Sequence, residues 1–217
     1  MAWSEPLSLY CERTDASFWA EPVNALTNLA FLVAAAAACV AWRRSRARDP
    51  FALALIGVTF AIGLGSFAFH TLATRGAVLL DVIPIAIFVY GYLLYGLRRI
   101  FHLAAGPALA ILAAFAVASQ GVSYALPAGA LNGSGEYLPP LAALMAVGLA
   151  VREIDQRRLI LAAGAIFTCS LFLRTVDREA CALFPLGTHF LWHLLNAAVL
   201  YLLLRSAIAA RGAHIPS

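Results

Sequence analysis

Residues 51–72 have the sequence FALALIGVTFAIGLGSFAFHTL, which contains no Asp, Glu, Lys or Arg and a single ionisable side chain, His70. An α-helix rises about 1.5 Å per residue, so about 20 apolar residues cross the hydrocarbon core of a bilayer, which is about 30 Å thick. This stretch has the length and the composition of a transmembrane helix. It therefore predicts a membrane protein.

Six further apolar stretches surround this one, and together they predict one all-α integral membrane domain, residues 1–217, built as a seven-transmembrane helix bundle. The predicted spans are residues 22–42, 51–72, 78–97, 103–126, 137–151, 159–173 and 186–204. The fifth and sixth spans are short, but the segment REIDQRR at 152–158 is too charged for hydrocarbon. We therefore predict two spans with a loop between them, and a five-span protein is the alternative.

The overall composition agrees with a membrane protein and excludes several other classes. The chain is 63% hydrophobic and 12% charged, whereas soluble domains are about 25% charged. The first twenty residues lack a positive n-region, so we expect no cleaved signal peptide. The net charge of +4 comes from 15 arginines and no lysine, clustered between the spans, which does not favour nucleic-acid binding. The arginine- and alanine-rich composition suggests a bacterial source.

The arginines predict the orientation, because cytoplasmic loops collect positive charge. One side of the predicted bundle carries Arg43, Arg44, Arg46, Arg48, Arg98, Arg99, Arg152, Arg157, Arg158, Arg205 and Arg211, and the other carries Arg13, Arg75, Arg174 and Arg178. Eleven against four predicts seven spans, with the N-terminus outside and the C-terminus in the cytoplasm. An even number of spans would remove this asymmetry.

Four ionisable residues lie near the outer ends of the predicted spans: His70, Asp81, His189 and His193. Each costs at least ~2.5 kcal/mol to insert, so by default such residues face the bundle interior and serve a function. His189 and His193 are four residues apart and share a helix face, and His70 would complete a three-histidine zinc site. Such a site leaves one position for water, which zinc makes a nucleophile near neutral pH.

Two further residues extend this pattern. Ser66 lies one helical turn before His70, and Asp81 is a candidate for proton transfer. A histidine near a helix end is commonly only hydrogen-bonded, but the joint placement of these residues in one leaflet favours a metal. We assign no role to His102 and His214, which fall on the cytoplasmic side.

Three short segments carry a resemblance to a known family. They are GSFAFH at 65–70, LLD at 79–81 and HFLWH at 189–193. With their spacing, they resemble the signatures of the alkaline ceramidases, a family within a seven-helix zinc-hydrolase superfamily that also includes the adiponectin receptors.

The resemblance implies roles for five residues. It implies that His70, His189 and His193 bind zinc, that Ser66 stabilises the oxyanion, and that Asp81 transfers the proton. The implied reaction is hydrolysis of the amide bond of ceramide or a similar N-acyl lipid to free fatty acid and sphingoid base.

The N-terminal segments CERTD at 11–15 and AEPVNALTN at 20–28 also resemble the segment in which animal members of the family bind calcium. By this resemblance Glu12, Asp15 and Glu21 would supply the oxygen ligands, although an acidic cap on the first helix would use the same residues. Leu9 and Tyr10 depart from the family pattern, which usually has Asp-Trp there.

The four cysteines divide into two pairs by predicted location. Cys39 and Cys169 fall inside spans, where they are expected to pack. Cys11 and Cys181 fall on the outer side, where an oxidising compartment allows a disulfide, and the family resemblance implies this same bridge.

Three function classes follow from these observations. The first is a zinc amidase acting on a ceramide-like lipid that enters from the bilayer. The second is a non-catalytic or signalling lipid receptor of the adiponectin-receptor type. The third, a transporter, is disfavoured because ionisable groups cluster at one end of the spans. We expect a multi-pass protein of the bacterial inner membrane with its site near the outer leaflet. The sequence does not set the oligomeric state.

Overall fold

The structure is a computed structural model, and it describes residues 3–127 and 129–209. Within these residues the regular secondary structure is entirely helical. The only β-pairing in this part of the chain is an isolated bridge between Pro6 and Thr74. Arg211 and His214, which entered the sequence predictions, lie outside the described residues.

The described residues form nine α-helices with two short irregular helices between them. The α-helices are α1 (Pro22–Thr27), α2 (Leu29–Arg44), α3 (Pro50–Leu72), α4 (Arg75–Tyr95), α5 (Ala105–Ala125), α6 (Leu138–Ala150), α7 (Ile154–Thr175), α8 (Asp177–Ala180) and α9 (His189–Ala209). A π-helical turn, Gly96–Ile100, continues α4, and a 3₁₀ segment, Ala130–Tyr137, precedes α6.

Six helices of the described chain are long and apolar enough to cross a membrane. They are Pro22–Arg44, which combines α1 and α2, and Pro50–Leu72, Arg75–Ile100, Ala105–Ala125, Ile154–Thr175 and His189–Ala209. The chain is therefore a multi-pass membrane protein. Helix α6 has 13 residues, or about 20 Å at 1.5 Å per residue, so the predicted seventh span stays a prediction.

The charged segment at 152–158, predicted to be a loop, is mostly the first turn of α7. Glu153 caps this helix, because its side chain accepts hydrogen bonds from the backbone N–H groups of Asp155 and Gln156. The side chains of Asp155 and Arg158 are 79% and 75% exposed. The helix can therefore begin within a charged sequence, because these charges point away from the protein.

Helices α3 and α4 approach closely at Gly65. A Cβ atom at this position would overlap the backbone carbonyl of Leu80, so only glycine permits the contact. The turn between the helices is short: Ala73 ends α3 in a left-handed conformation, and the Thr74 hydroxyl caps α4. This packing brings the last turns of α3 against the first turns of α4.

The N-terminal segment, residues 3–21, crosses the end of the bundle at which α3 ends and α4 begins. Leu7 donates a backbone hydrogen bond to Ala73, and Gly76 donates one to Trp3. The disulfide implied by the resemblance is present, with the Cα atoms of Cys11 and Cys181 5.3 Å apart. The segment is therefore fixed at both the α3–α4 turn and the loop before α9.

Candidate metal centre

Three histidines converge at the end of the bundle that the N-terminal segment covers. His70 comes from the last turn of α3, and His189 and His193 come from the first two turns of α9. Their possible ligand atoms all lie within 4.8 Å of one another. All three are at most 2% exposed. The predicted histidine cluster is thus formed, and it is buried.

One nitrogen of each ring has no hydrogen-bond partner among the described residues: His70 Nε2, His189 Nδ1 and His193 Nε2. Leaving one buried polar atom unpaired costs about 1–3 kcal/mol, so three in one place call for a shared ligand. Neutral imidazole nitrogens are the ligands that zinc and related transition metals prefer. The cluster fits a metal ion.

Hydrogen bonds to the other ring nitrogens fix the tautomers that metal binding requires. His70 Nδ1 donates to Glu21 Oε2 over 2.6 Å. The Thr27 hydroxyl donates to the backbone carbonyl of Val23, so it accepts from His193 Nδ1 over 2.9 Å. Both histidines therefore carry their proton on Nδ1, which leaves the lone pair on Nε2 for a metal.

Glu21 connects His70 to the N-terminal segment. Its Oε1 atom pairs with Arg13 Nε over 2.5 Å, and its Oε2 atom accepts from His70. Burial alone would raise the pKa of Glu21, but the hydrogen bonds from His70 and Arg13 outweigh burial and hold that pKa below its ordinary value. Glu21 is therefore a carboxylate that orients the His70 ring.

Ser66 and Asp81 lie beside the histidines. Ser66 is 3% exposed on α3, one turn before His70. The close approach of Gly65 to the Leu80–Asp81 backbone places Ser66 near the Asp81 side chain on α4. The Asp81 Oδ1 atom is buried and has no partner within the described chain. These two side chains thus form a second polar group at the edge of the cluster.

Tyr10 covers the cluster, a role that the sequence predictions did not include. Its ring stacks on His189 with centroids 3.5 Å apart and lies 5.2 Å from His70. Burial raises the pKa of the Tyr10 phenol above its ordinary value, so this group is neutral at physiological pH. The sequence signal for its position is the adjacent Cys11, for which the family resemblance implied a disulfide to Cys181.

Arg174 is a second group near the cluster to which the sequence analysis gave no role. The sequence analysis counted it only among the charges of the outer side, and the structure places it in the last turn of α7. Its guanidinium lies over the rings of Tyr137 and Trp192, at 5.2 and 5.5 Å, and donates to the Asn132 carbonyl and the Ser134 hydroxyl. Because Trp192 is the residue before His193, this contact places the Arg174 guanidinium next to the histidine cluster.

Asp177 joins the N-terminal segment to the helix that carries two of the histidines. Its buried Oδ1 accepts from the backbone N–H groups of Thr188 and His189, and its Oδ2 accepts from the Cys11 N–H. Gly187 lies against this carboxylate with φ +64°, and a Cβ there would overlap both Asp177 and Cys11. Asp177 therefore fixes the start of α9.

Replacing Gly187 with alanine should destabilise this junction. The left-handed φ costs an L-residue roughly 1–2 kcal/mol, and the overlap with Cys11 and Asp177 adds to that cost. Gly129→Ala is the matched control, since Gly129 also has a positive φ, +78°, but has nothing within 4 Å of the added Cβ. We expect Tm to fall further in Gly187→Ala than in Gly129→Ala. We also expect more thiols to react with a thiol reagent, because the overlap involves Cys11 of the disulfide. Equal Tm values for the two variants would contradict this account.

An apolar cavity of about 110 Å³ begins beside the histidine cluster. Trp192, which precedes His193, and Ile62, one turn before Ser66, both line it. From Trp192 to Leu203 the cavity follows α9 for eleven residues, or about 16 Å. Its lining is almost entirely hydrophobic, so it suits a hydrocarbon chain.

The three acidic residues predicted for calcium do not converge on one point. The Glu12 carboxylate accepts from the backbone N–H groups of Val23 and Asn24, and so caps α1. Asp15 is exposed, and Glu21 is engaged by Arg13 and His70. In the described chain the only group of three or more such side chains close enough to share an ion is the histidine cluster. Calcium binding by these three acidic side chains therefore stays a prediction.

Comparison with known proteins identifies one family. The sequence model of the family described as Ceramidase matches residues 9–213, which is nearly the whole chain. No curated protein matches the chain.

Proposed function

Because the chain belongs to the ceramidase family, we propose that it is a zinc-dependent hydrolase that works within the membrane. Its substrate is ceramide or a similar N-acyl lipid, and its products are a free fatty acid and a sphingoid base. The observation that carries the proposal is the set of three unpaired histidine nitrogens beside Ser66, Asp81 and an apolar cavity.

Zinc is the metal that this ligand set favours. His70, His189 and His193 supply three neutral nitrogens and no thiolate, a set typical of catalytic zinc sites that keep one position open. Bound zinc would supply a Lewis acid for the amide carbonyl and would lower the pKa of water at the site.

The protein's own groups complete the reaction. In this proposal the Ser66 hydroxyl donates a hydrogen bond to the carbonyl oxygen as negative charge develops on it. Asp81 accepts a proton from the attacking water and delivers it to the leaving amine. The unpaired Asp81 Oδ1 supports this assignment, because a proton carrier needs an atom not committed to the fold.

The cavity supports a lipid substrate. An acyl or sphingoid chain lying between α4 and α9 against Phe88, Trp192 and Leu203 would hold the amide at the level of the histidines. Burial of such a chain contributes about 0.8 kcal/mol per CH₂. The binding energy of the chain thereby serves to position the amide bond for reaction.

We further propose that the site lies near the outer leaflet of a bacterial inner membrane, with the N-terminus outside and the C-terminus in the cytoplasm. The disulfide between Cys11 and Cys181 supports this orientation, because it lies at the same end as the histidines and disulfides persist in oxidising compartments. In the described chain the two free cysteines, Cys39 and Cys169, lie within α2 and α7.

Metal analysis and product analysis of the purified protein test this function together. We expect one equivalent of zinc per chain and equimolar release of fatty acid and sphingoid base from ceramide. A strong chelator should abolish both zinc and turnover, and added zinc should restore them. Ceramides of graded chain length and simpler N-acyl amides would define the substrate. Bound zinc with no release of fatty acid from any of these lipids would contradict the hydrolase and favour the receptor class.

A further inference from the structure

Arg13 is a buried cation in the N-terminal segment, 7% exposed, and the reaction proposed above does not use it. Its guanidinium makes four hydrogen bonds, all to oxygen. Nε donates to Glu21 Oε1 over 2.5 Å and Nη2 donates to the His70 carbonyl over 2.8 Å. Nη1 donates to the carbonyls of Asp15 and Ser17 over 3.2 and 3.3 Å.

These oxygens, which we call the oxygen shell of Arg13, are of the kinds that bind hard cations. One carboxylate oxygen and three backbone carbonyls surround the guanidinium, and carboxylates and carbonyls are the ligands that calcium takes in proteins. The shell draws residues from the N-terminal segment and from the end of α3, which are far apart in sequence. Any cation at its centre therefore holds the N-terminal segment against the histidine cluster.

We propose that Arg13 is the built-in cation of this shell, replacing the calcium ion that the family resemblance implies, so that the protein holds its N-terminal segment in place without calcium. The guanidinium already neutralises Glu21, and a divalent cation beside it would meet repulsion between like charges. Arginine remains protonated at any physiological pH, so this cation is permanent.

Arg13 is also a positioning residue for His70. It holds that histidine at two points, directly through the His70 carbonyl and indirectly through Glu21, which accepts from Nδ1. Loss of outer-shell partners of metal-binding histidines typically lowers metal affinity about 10–100-fold. The positioning role rests on the proposed metal site, but the replacement of calcium does not, since it concerns the oxygen shell alone.

The wild-type protein tests the replacement without any substitution. We expect its Tm to be the same in EGTA and in saturating CaCl₂, and equilibrium dialysis with radioactive calcium to detect no stoichiometric binding. One equivalent of bound calcium, with a Tm that rises on its addition, would overturn the proposal. Neither readout needs zinc or turnover, so failure here is distinguishable from failure of the proposed function.

The Arg13→Ala variant tests the shell itself. Removing the guanidinium should lower the Tm and weaken zinc affinity about 10–100-fold, and CaCl₂ should restore both, because the oxygens are left without a cation. Arg178→Ala is the matched control, since Arg178 is an exposed arginine that contacts the same N-terminal segment at Ser8. If CaCl₂ raises the Tm of Arg13→Ala no more than that of Arg178→Ala, the shell is not a cation site.

Discussion

Replacing His193 with alanine should remove both the metal and the activity. The variant loses one of the three clustered histidine nitrogens and also the hydrogen bond that connects the cluster to Thr27 on α1. We expect zinc content to fall from one equivalent to background, and release of fatty acid to fall with it. The loss of zinc affinity should exceed the about 10–100-fold that removal of an outer-shell partner costs.

Two further variants make this result specific. Thr27→Val removes only the hydroxyl that accepts a hydrogen bond from His193. Zinc affinity should therefore fall about 10–100-fold, while saturating zinc still occupies the site. His102→Asn replaces a histidine outside the cluster, at φ 54°, which asparagine tolerates, and should leave zinc and turnover unchanged. A His193→Ala protein that keeps one zinc and normal turnover would exclude the histidine cluster as the metal site.

The sequence predicted the helices more accurately than their ends. Apolar length placed the six long helices because a bilayer demands about 20 apolar residues for each crossing. It did not predict that α7 begins at Ile154, inside the charged segment, because that depends on the Glu153 cap and on outward-pointing side chains. It also did not predict the interruption at Asn28 that separates α1 from α2.

The histidine cluster could be predicted because the residue type itself marks these positions in the sequence. Ionisable side chains are rare in apolar helices, so His70, His189 and His193 stand out in the sequence. The lining of the cavity could not be predicted in this way. Lipid and protein interior are both apolar, so an apolar residue such as Phe88 or Leu203 carries no mark of the direction it faces.

The contacts that support the histidines were missed for a different reason. Glu21 was considered as a calcium ligand, but the structure pairs it with His70, 49 residues away. Asp177 contacts Cys11 across 166 residues. Such contacts depend on how the N-terminal segment crosses the bundle, which no local pattern encodes. For the same reason, Arg13 entered the orientation prediction only as one of the four outer-side arginines.

Replacing Asp81 with asparagine should abolish most of the turnover while leaving the metal in place. Asparagine keeps the size and the hydrogen-bonding capacity of the side chain, but it cannot accept and deliver a proton at neutral pH. General acid–base catalysis contributes about 10²–10⁴-fold, so kcat should fall by that factor. Zinc content and Tm should remain close to those of the wild type, because the three side chains proposed to hold the metal are histidines and Asp81 is not among them.

Serine variants separate proton transfer from oxyanion stabilisation. Ser66→Ala removes one hydrogen-bond donor, so kcat should fall about 10²–10³-fold. Ser206→Ala is the matched control: Ser206 is also buried, but it bonds to Tyr92 at a distance from the histidines. This control should lose about 1 kcal/mol of stability and keep its kcat. If Asp81→Asn keeps a wild-type kcat while Ser66→Ala does not, Asp81 is not the proton carrier, and the hydroxyl acts without the neighbouring carboxylate.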